Sequence, residues 1–141
     1  MKVHFVEPGF AISDEITLED FESVRQQGFK AVICNRRVGE EGYESEDVFR
    51  ESAERAGLQW FCVPVASGEY TAADVEAFGK ALDAAPTPIL GFCRTGRRAV
   101  HMWAQSRAQN PQCNIPILLK AAHEAGHDPQ SIRDLLDKKA G

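Results

Sequence analysis

The sequence predicts an α/β domain: a short parallel sheet flanked by helices, with a C-terminal third that is helical throughout. The short apolar runs FKAVICN (29–35), QWFCVPV (59–65) and TPILGFC (87–93) lack the in/out alternation of a half-exposed strand, so each reads as buried on both faces. Segments with helical spacing separate these runs, and strands joined by crossover helices pair in parallel. Beyond the last run, apolar residues recur at helical spacing to the end of the chain.

A first helix is expected from about Thr17 to Gln27, with Thr17 as cap, Asp20 completing a capping box, Phe21 and Val24 facing inward and Gly28 as the stop. Residues 40–54 hold Glu40, Glu41, Glu44, Glu46, Asp47, Glu51 and Glu54 against the single base Arg50, which reads mostly as a solvated face. Within this stretch Ser45 caps a helix whose inner side is Val48, Phe49, Ala53 and Ala56, ending at Gly57. Thr71 caps a third helix with Val75, Phe78 and Leu82 inward, and Pro86 and Pro88 bracket the start of the last strand. The C-terminal stripes are Val100, Trp103 and Ala104, then Ile115, Leu118, Leu119 and Ala122, then Ile132, Leu135 and Leu136. Asp128 and Pro129 are placed as cap and first residue of the last helix.

A length of 141 residues fits one domain, 1–141, with one core. The net charge of −5 argues against a broad nucleic-acid or anionic-membrane surface, because phosphate backbones are held by clustered Lys and Arg; any anion site must be local. No apolar run approaches the ~18 residues of a membrane span. At the start of the chain, His4, Glu7 and Pro8 stand where a signal peptide needs apolar residues, so a cytoplasmic protein is expected. The four cysteines, Cys34, Cys62, Cys93 and Cys113, form no C-x-x-C pair and no disulfide framework, so each is read singly. No metal or other cofactor is expected, and the sequence leaves the oligomeric state open.

The segment PILGFCRTGRRAVHMWA carries the chemistry. A buried strand runs into Cys93-Arg94-Thr95-Gly96-Arg97-Arg98 and directly into a helix, and open parallel sheets bind ligands beyond the carboxyl ends of their strands. The start of the helix, near Arg98, presents unpaired N–H groups and the positive end of the helix dipole. Gly96 permits positive φ, and three arginines add charge. Such a field favours thiolate over thiol, making Cys93 the candidate nucleophile. Mere burial of Cys93 would not call for three arginines and a glycine in the next five positions. Cys34, Cys62 and Cys113 read instead as ordinary structural cysteines.

C-x-x-G-x-R opening a helix after a buried strand resembles the signatures of cysteine-dependent phosphatases and rhodaneses. Together with GFKAVICNRRVGEE, AGLQWFCVPV and AAHEAGHDPQSIRD, it resembles the phosphatase-like domain that also occurs fused to beta-lactamase-like hydrolases, a small bacterial relative of dual-specificity protein phosphatases. The resemblance implies a protein tyrosine phosphatase-like fold and a substrate bearing phosphate or another anionic group. Cys93 would be the nucleophile and Arg98 the oxyanion clamp, with the loop amides of Arg94, Thr95, Gly96, Arg97 and Arg98 around the bound group. Phosphoryl transfer would pass through a thiophosphoryl enzyme. Asn35-Arg36 matches a family feature and would brace the site from the neighbouring strand end; the alternative for Arg36 and Arg37 is partnership with the acidic stretch that follows.

The chain departs from phosphatases of this type in three respects. Four residues rather than five separate Cys93 from Arg98, Phe92 replaces the common His, and Ala99 replaces the Ser or Thr whose hydroxyl helps the thiolate leave. Thr95 is the substitute hydroxyl if it points inward. For the general acid the candidates are Glu69 and Asp74, though Asp74 also occupies a capping-box position after Thr71. Rhodanese-type sulfurtransferases share the six-residue loop, and a Cys93 persulfide needs no general acid, so sulfur transfer is the rival chemistry. A third reading is a catalytically weak module that binds phosphate or other anions.

His123-Glu124-Ala125-Gly126-His127 spells H-E-x-x-H, but Gly126 reads as a helix stop that puts His127 outside the helix, so no zinc site is expected. His4 is expected near an edge, His101 on the surface of its helix, and Trp60 and Trp103 in the core.

Overall fold

The computed structural model describes residues 1–140. Five strands, β1 (Val3–Glu7), β2 (Phe10–Ser13), β3 (Ala31–Cys34), β4 (Gln59–Cys62) and β5 (Ile89–Phe92), form one sheet in the order β1-β2-β5-β3-β4. The β2-β5, β5-β3 and β3-β4 pairs are parallel, as the alternation of strands and helices requires, and β1 adds an antiparallel edge through a hairpin with β2. The sequence reading assigns no element before Thr17, because β1 lies at an edge and shows solvent both His4 and Phe5. Its apolar contact is lateral: Phe5 stacks on Phe29 at 5.7 Å. The other edge strand, β4, is only half-buried, against the expectation of a fully buried run.

Both faces of the sheet are covered. Helix α1 (Phe21–Gln26), preceded by a 3-10 turn at Leu18–Asp20, and α2 (Glu46–Arg55) bury Phe21, Val24, Phe49 and Ala53 on one face with Val32, Leu90 and Phe92. Val48 points to solvent, not inward as its spacing suggests. On the other face lie α3 (Ala72–Ala84), α4 (Arg97–Ala108), α5 (Ile115–Glu124) and α6 (Pro129–Ala140), with Phe78, Val100, Leu118 and Ile132 on Ala31, Ile33 and Ile89. The Thr17/Asp20 and Thr71/Asp74 capping boxes and the Ser45 cap form as their residue types dictate. Among the described residues no helix is long and apolar enough to cross a membrane.

The register brings the carboxyl ends of β3 and β5 side by side: Cys34 is opposite Phe92, and the Asn35 N–H donates to the Phe92 carbonyl at 3.0 Å. Beyond β4, Val65 N–H donates to the Asn35 carbonyl at 3.2 Å. Three loops therefore converge on one edge, those after Cys34, Cys62 and Phe92. Gly91 lets β5 lie close beneath its neighbours, since a Cβ there would come within 2.6 Å of the Phe10 ring.

Candidate active site

Cys93 follows β5 directly, and α4 begins four residues later, at Arg97. Between them Gly96 takes φ 90°, a conformation in which an L side chain is strained. A Cβ there would also meet the Ser13 carbonyl at 3.1 Å and His127 Nε2 at 3.2 Å. This turn aims the Gly96 N–H at Cys93 Sγ, 3.1 Å away. Cys93 is buried, 1% exposed, yet the neighbours of its sulfur are polar: the Gly96 amide and the Arg98 guanidinium. The amides of Arg94 and Thr95 make no hydrogen bond among the described residues. Thr95 Oγ1 accepts from the Arg97 N–H at 3.3 Å, so its oxygen serves the helix terminus rather than the sulfur.

Arg98 is held by a carboxylate that the sequence reading places on a solvated face. Its Nη1 donates to Glu40 Oε2 at 2.6 Å and its Nη2 to Glu40 Oε1 at 2.8 Å, the two-pronged geometry in which Arg–carboxylate pairs are strongest. Nη1 also faces the carbonyls of Val65 (3.0 Å) and Asn35 (3.2 Å), one on each neighbouring loop. A guanidinium carries five N–H donors, and these contacts leave Nε–H and one Nη2–H without an oxygen partner among the described residues. Glu40 in turn accepts from the Arg37 amide at 2.7 Å and from Arg36 Nε at 3.4 Å. Arg36 is itself buried, with its guanidinium 5.4 Å from the centre of the Tyr43 ring. Both readings of Arg36 therefore hold: it pairs with the acidic stretch, and through Glu40 it braces Arg98. The Arg37 side chain makes no ion pair among the described residues.

Asn35 is fully buried and donates from Nδ2 to the Val63 carbonyl at 2.7 Å; its Oδ1 has no partner among the described residues. His101 is not on the surface but 2% exposed. Ser131 Oγ donates to the Asp128 carbonyl at 2.7 Å, so it accepts from His101 Nε2 (3.1 Å), while His101 Nδ1 accepts from the Tyr70 hydroxyl (2.9 Å). The chain of bonds ties the loop after β4 to α4 and α6. His127 lies past the end of α5 and against Gly96, so it shares no helix face with His123.

Neither acid candidate reaches the loop cavity. Asp74 completes the cap of α3 by accepting from the Thr71 amide at 3.0 Å, and Glu69 is exposed in a turn. A cavity of about 680 Å³ is lined by Arg94, Thr95, Arg97 and Arg98 of the segment that follows Cys93, and Glu40 is the only carboxylate among its described lining residues. Cys34 and Cys62 lie opposite each other on β3 and β4, on the sheet face away from Cys93. Burial raises the Cys34 thiol far above its ordinary range, and the Tyr43 hydroxyl lies 3.9 Å from Cys62 Sγ. Cys113 packs beside Glu7 and Arg107, far along the chain from the loop. Trp103 is buried as expected, with Nε1 donating to Glu7 at 2.6 Å, while Trp60 is only half-buried.

Two acid-labile contributions to stability follow from these contacts. The Arg98 hydrogen bonds hold the Glu40 carboxyl down to about 2, so its contribution is complete above the ordinary 4.5 and is lost as pH falls toward 2. Burial, with Arg97 and His127 nearby, holds His101 down to about 4, so the folded state binds its proton less readily than the unfolded chain. That contribution is complete above 6.5 and is lost as pH falls toward 4. Denaturant unfolding measured from pH 8 to 2.5 should fall in both windows, by on the order of 1–3 kcal/mol each. Glu40→Gln should flatten the lower one, and an unchanged slope below pH 4.5 refutes the assignment.

A mixed sheet in this order, with a cysteine at the carboxyl end of β5 and an arginine in the first turn of the following helix, defines a protein of the protein tyrosine phosphatase-like fold. The chain belongs to the family of the phosphatase-like domain of beta-lactamase hydrolase-like proteins, whose model matches residues 2–110. The beta-lactamase hydrolase-like protein of Xylella fastidiosa strain Temecula1 is 29% identical over 129 residues, 91% of this chain and 30% of that protein. The chain thus spans a third or less of the length of the curated relatives it matches. A Neisseria meningitidis protein carrying a phosphatase assignment superposes with a TM-score of 0.83 at 30% identity, covering 98% of both chains. A form of Pseudomonas aeruginosa TpbA in complex with phosphotyrosine has the same fold: TM-score 0.68, 17% identity, 94% of this chain and 78% of that one.

Proposed function

We propose that this chain is a single phosphatase-like domain that hydrolyses phosphomonoesters with Cys93 as nucleophile and Arg98 as oxyanion clamp. The observation that carries the reading is the orientation of Arg98. Glu40 holds the Nη1/Nη2 edge of its guanidinium, so Nε–H and the second Nη2–H stay open to a bound anion, and the group neighbours a sulfur that already accepts the Gly96 amide. Sγ attacks phosphorus, the P–O bond to the alcohol breaks, and the alkoxide takes a proton. Water then cleaves the S–P bond, releasing inorganic phosphate and the thiolate. The arginine fork and the amides of Arg94 to Arg98 meet the charge on the equatorial oxygens.

The absence of any lining carboxylate other than Glu40, itself held by two arginines, has a chemical consequence. Without a general acid the reaction forgoes roughly 10²–10⁴-fold and favours good leaving groups. The same observation favours a second reading, sulfur transfer through a Cys93 persulfide, which needs no proton donor. Parallel assays with nitrophenyl phosphate and with thiosulfate plus cyanide decide between them, with mass analysis of the Cys93 peptide after rapid quenching. A phosphoryl adduct with nitrophenol release supports phosphatase activity. An added sulfur with thiocyanate formation replaces it by sulfur transfer. Phosphate binding without turnover leaves an anion-binding module.

A further inference from the structure

We propose that the substrate is a small, non-aromatic phosphate ester with a readily leaving oxygen, such as a hemiacetal phosphate, and a second phosphate group, which the arginine rim of the cavity recognises; this deepens the phosphomonoesterase reading and rests on it. Four guanidiniums, of Arg37, Arg94, Arg97 and Arg98, line the one cavity of about 680 Å³. The only lining carboxylate, Glu40, is already engaged by Arg98 and Arg36. Arg37, Arg94 and Arg97 are exposed, and their side chains make no hydrogen bond or ion pair among the described residues. Elsewhere Arg36, Arg50 and Arg107 do hold carboxylates, in a chain with 21 acidic against 16 basic residues.

A single phosphoryl group on Cys93 is met by the loop amides and Arg98, which leaves three cations on the rim facing no charge. Guanidinium forks match phosphate oxygens two at a time, so a second phosphate on the same molecule gives them a partner of the right geometry. Apart from Val38 and Ala66 the lining is polar or glycine, and it includes no aromatic ring. A phosphotyrosine ring would find nothing to stack on there, and Tyr70 nearby is committed to His101. The arginines border one cavity of the size that takes small molecules rather than following a track along which an extended acidic peptide would lie.

The test compares kinetics for a hexose bisphosphate with one phosphate on the anomeric oxygen, the hexose 1-phosphate that shares this scissile group, and a phosphotyrosyl peptide with acidic flanks. The bisphosphate is expected to exceed the monophosphate in kcat/KM by at least about tenfold, with the preference shrinking as salt is raised. Arg37→Gln should lower the bisphosphate-to-monophosphate ratio toward one. As a binding readout on the unaltered protein, pyrophosphate should inhibit nitrophenyl phosphate turnover about tenfold more tightly than phosphate does. Equal kcat/KM for the two sugar phosphates, a lower KM for the peptide than for the bisphosphate, or an unchanged ratio in Arg37→Gln overturns the proposal. If nitrophenyl phosphate is still hydrolysed through Cys93 in that case, the polyanion proposal fails alone. If no phosphate ester is cleaved, the phosphomonoesterase reading fails and takes this one with it.

Discussion

Cys93→Ser is expected to lower nitrophenyl phosphate turnover by on the order of 10⁴-fold or more while leaving the fold and phosphate binding in place. Serine is close to cysteine in size and can still accept the Gly96 amide that now points at Sγ. What it lacks is sulfur's nucleophilicity: a hydroxyl needs a base to attack, and among the described residues no free one is aimed at this position. His101 spends both ring nitrogens on Tyr70 and Ser131, and Glu40 is tied to Arg98 and Arg36. Thermal unfolding within a few degrees of the parent, together with retained phosphate protection, separates loss of chemistry from loss of structure. Activity within tenfold of the parent means that the nucleophile has been misassigned. Neither Cys34 nor Cys62 is an easy replacement, since both belong to the opposite face of the sheet.

Arg98→Lys is expected to cost about 10²–10³-fold in kcat with a smaller change in KM, because the clamp acts chiefly on charge that develops in the transition state. Lysine keeps the charge and can still approach Glu40, yet an ammonium cannot bridge a carboxylate on one edge and phosphoryl oxygens on the other. It also forfeits the planar group that reaches the carbonyls of Asn35 and Val65, so some loosening of the two loops should accompany the kinetic loss. Steady-state kinetics read beside unfolding curves test this, and kcat within threefold of the parent removes Arg98 from the mechanism.

Much of the fold was legible in the chain because its signals are local. The β3 and β5 runs, the Thr17 and Thr71 capping boxes, the Ser45 cap and the glycine stop before His127 each depend on residues within a turn or two of one another. The β1-β2 hairpin was not legible, since an edge strand that exposes Phe5 and His4 carries no clean alternation, and its pairing partner is decided by the sheet. Glu40 was misread for a related reason. Among seven acids in one stretch, nothing local distinguishes the one that turns inward. His101 sits on a helix whose outer side is covered by Tyr70 and by Ser131 of α6, contacts 31 and 30 residues distant, so its own helix gives no sign of the burial.

Read alone, the sequence determined the strand, the loop from Cys93 to Arg98 and the helix behind it, because backbone preference, positive φ at Gly96 and dipole direction are near-neighbour physics. Only the tertiary structure decided what holds Arg98. Its carboxylate partner lies 58 residues away, and the two meet because β3 and β5 pair in a register that sets the loops beyond them side by side. Strand order and register arise from the packing of both sheet faces at once. A buried charge is therefore neutralised by a residue whose role no stretch of the chain around it can announce.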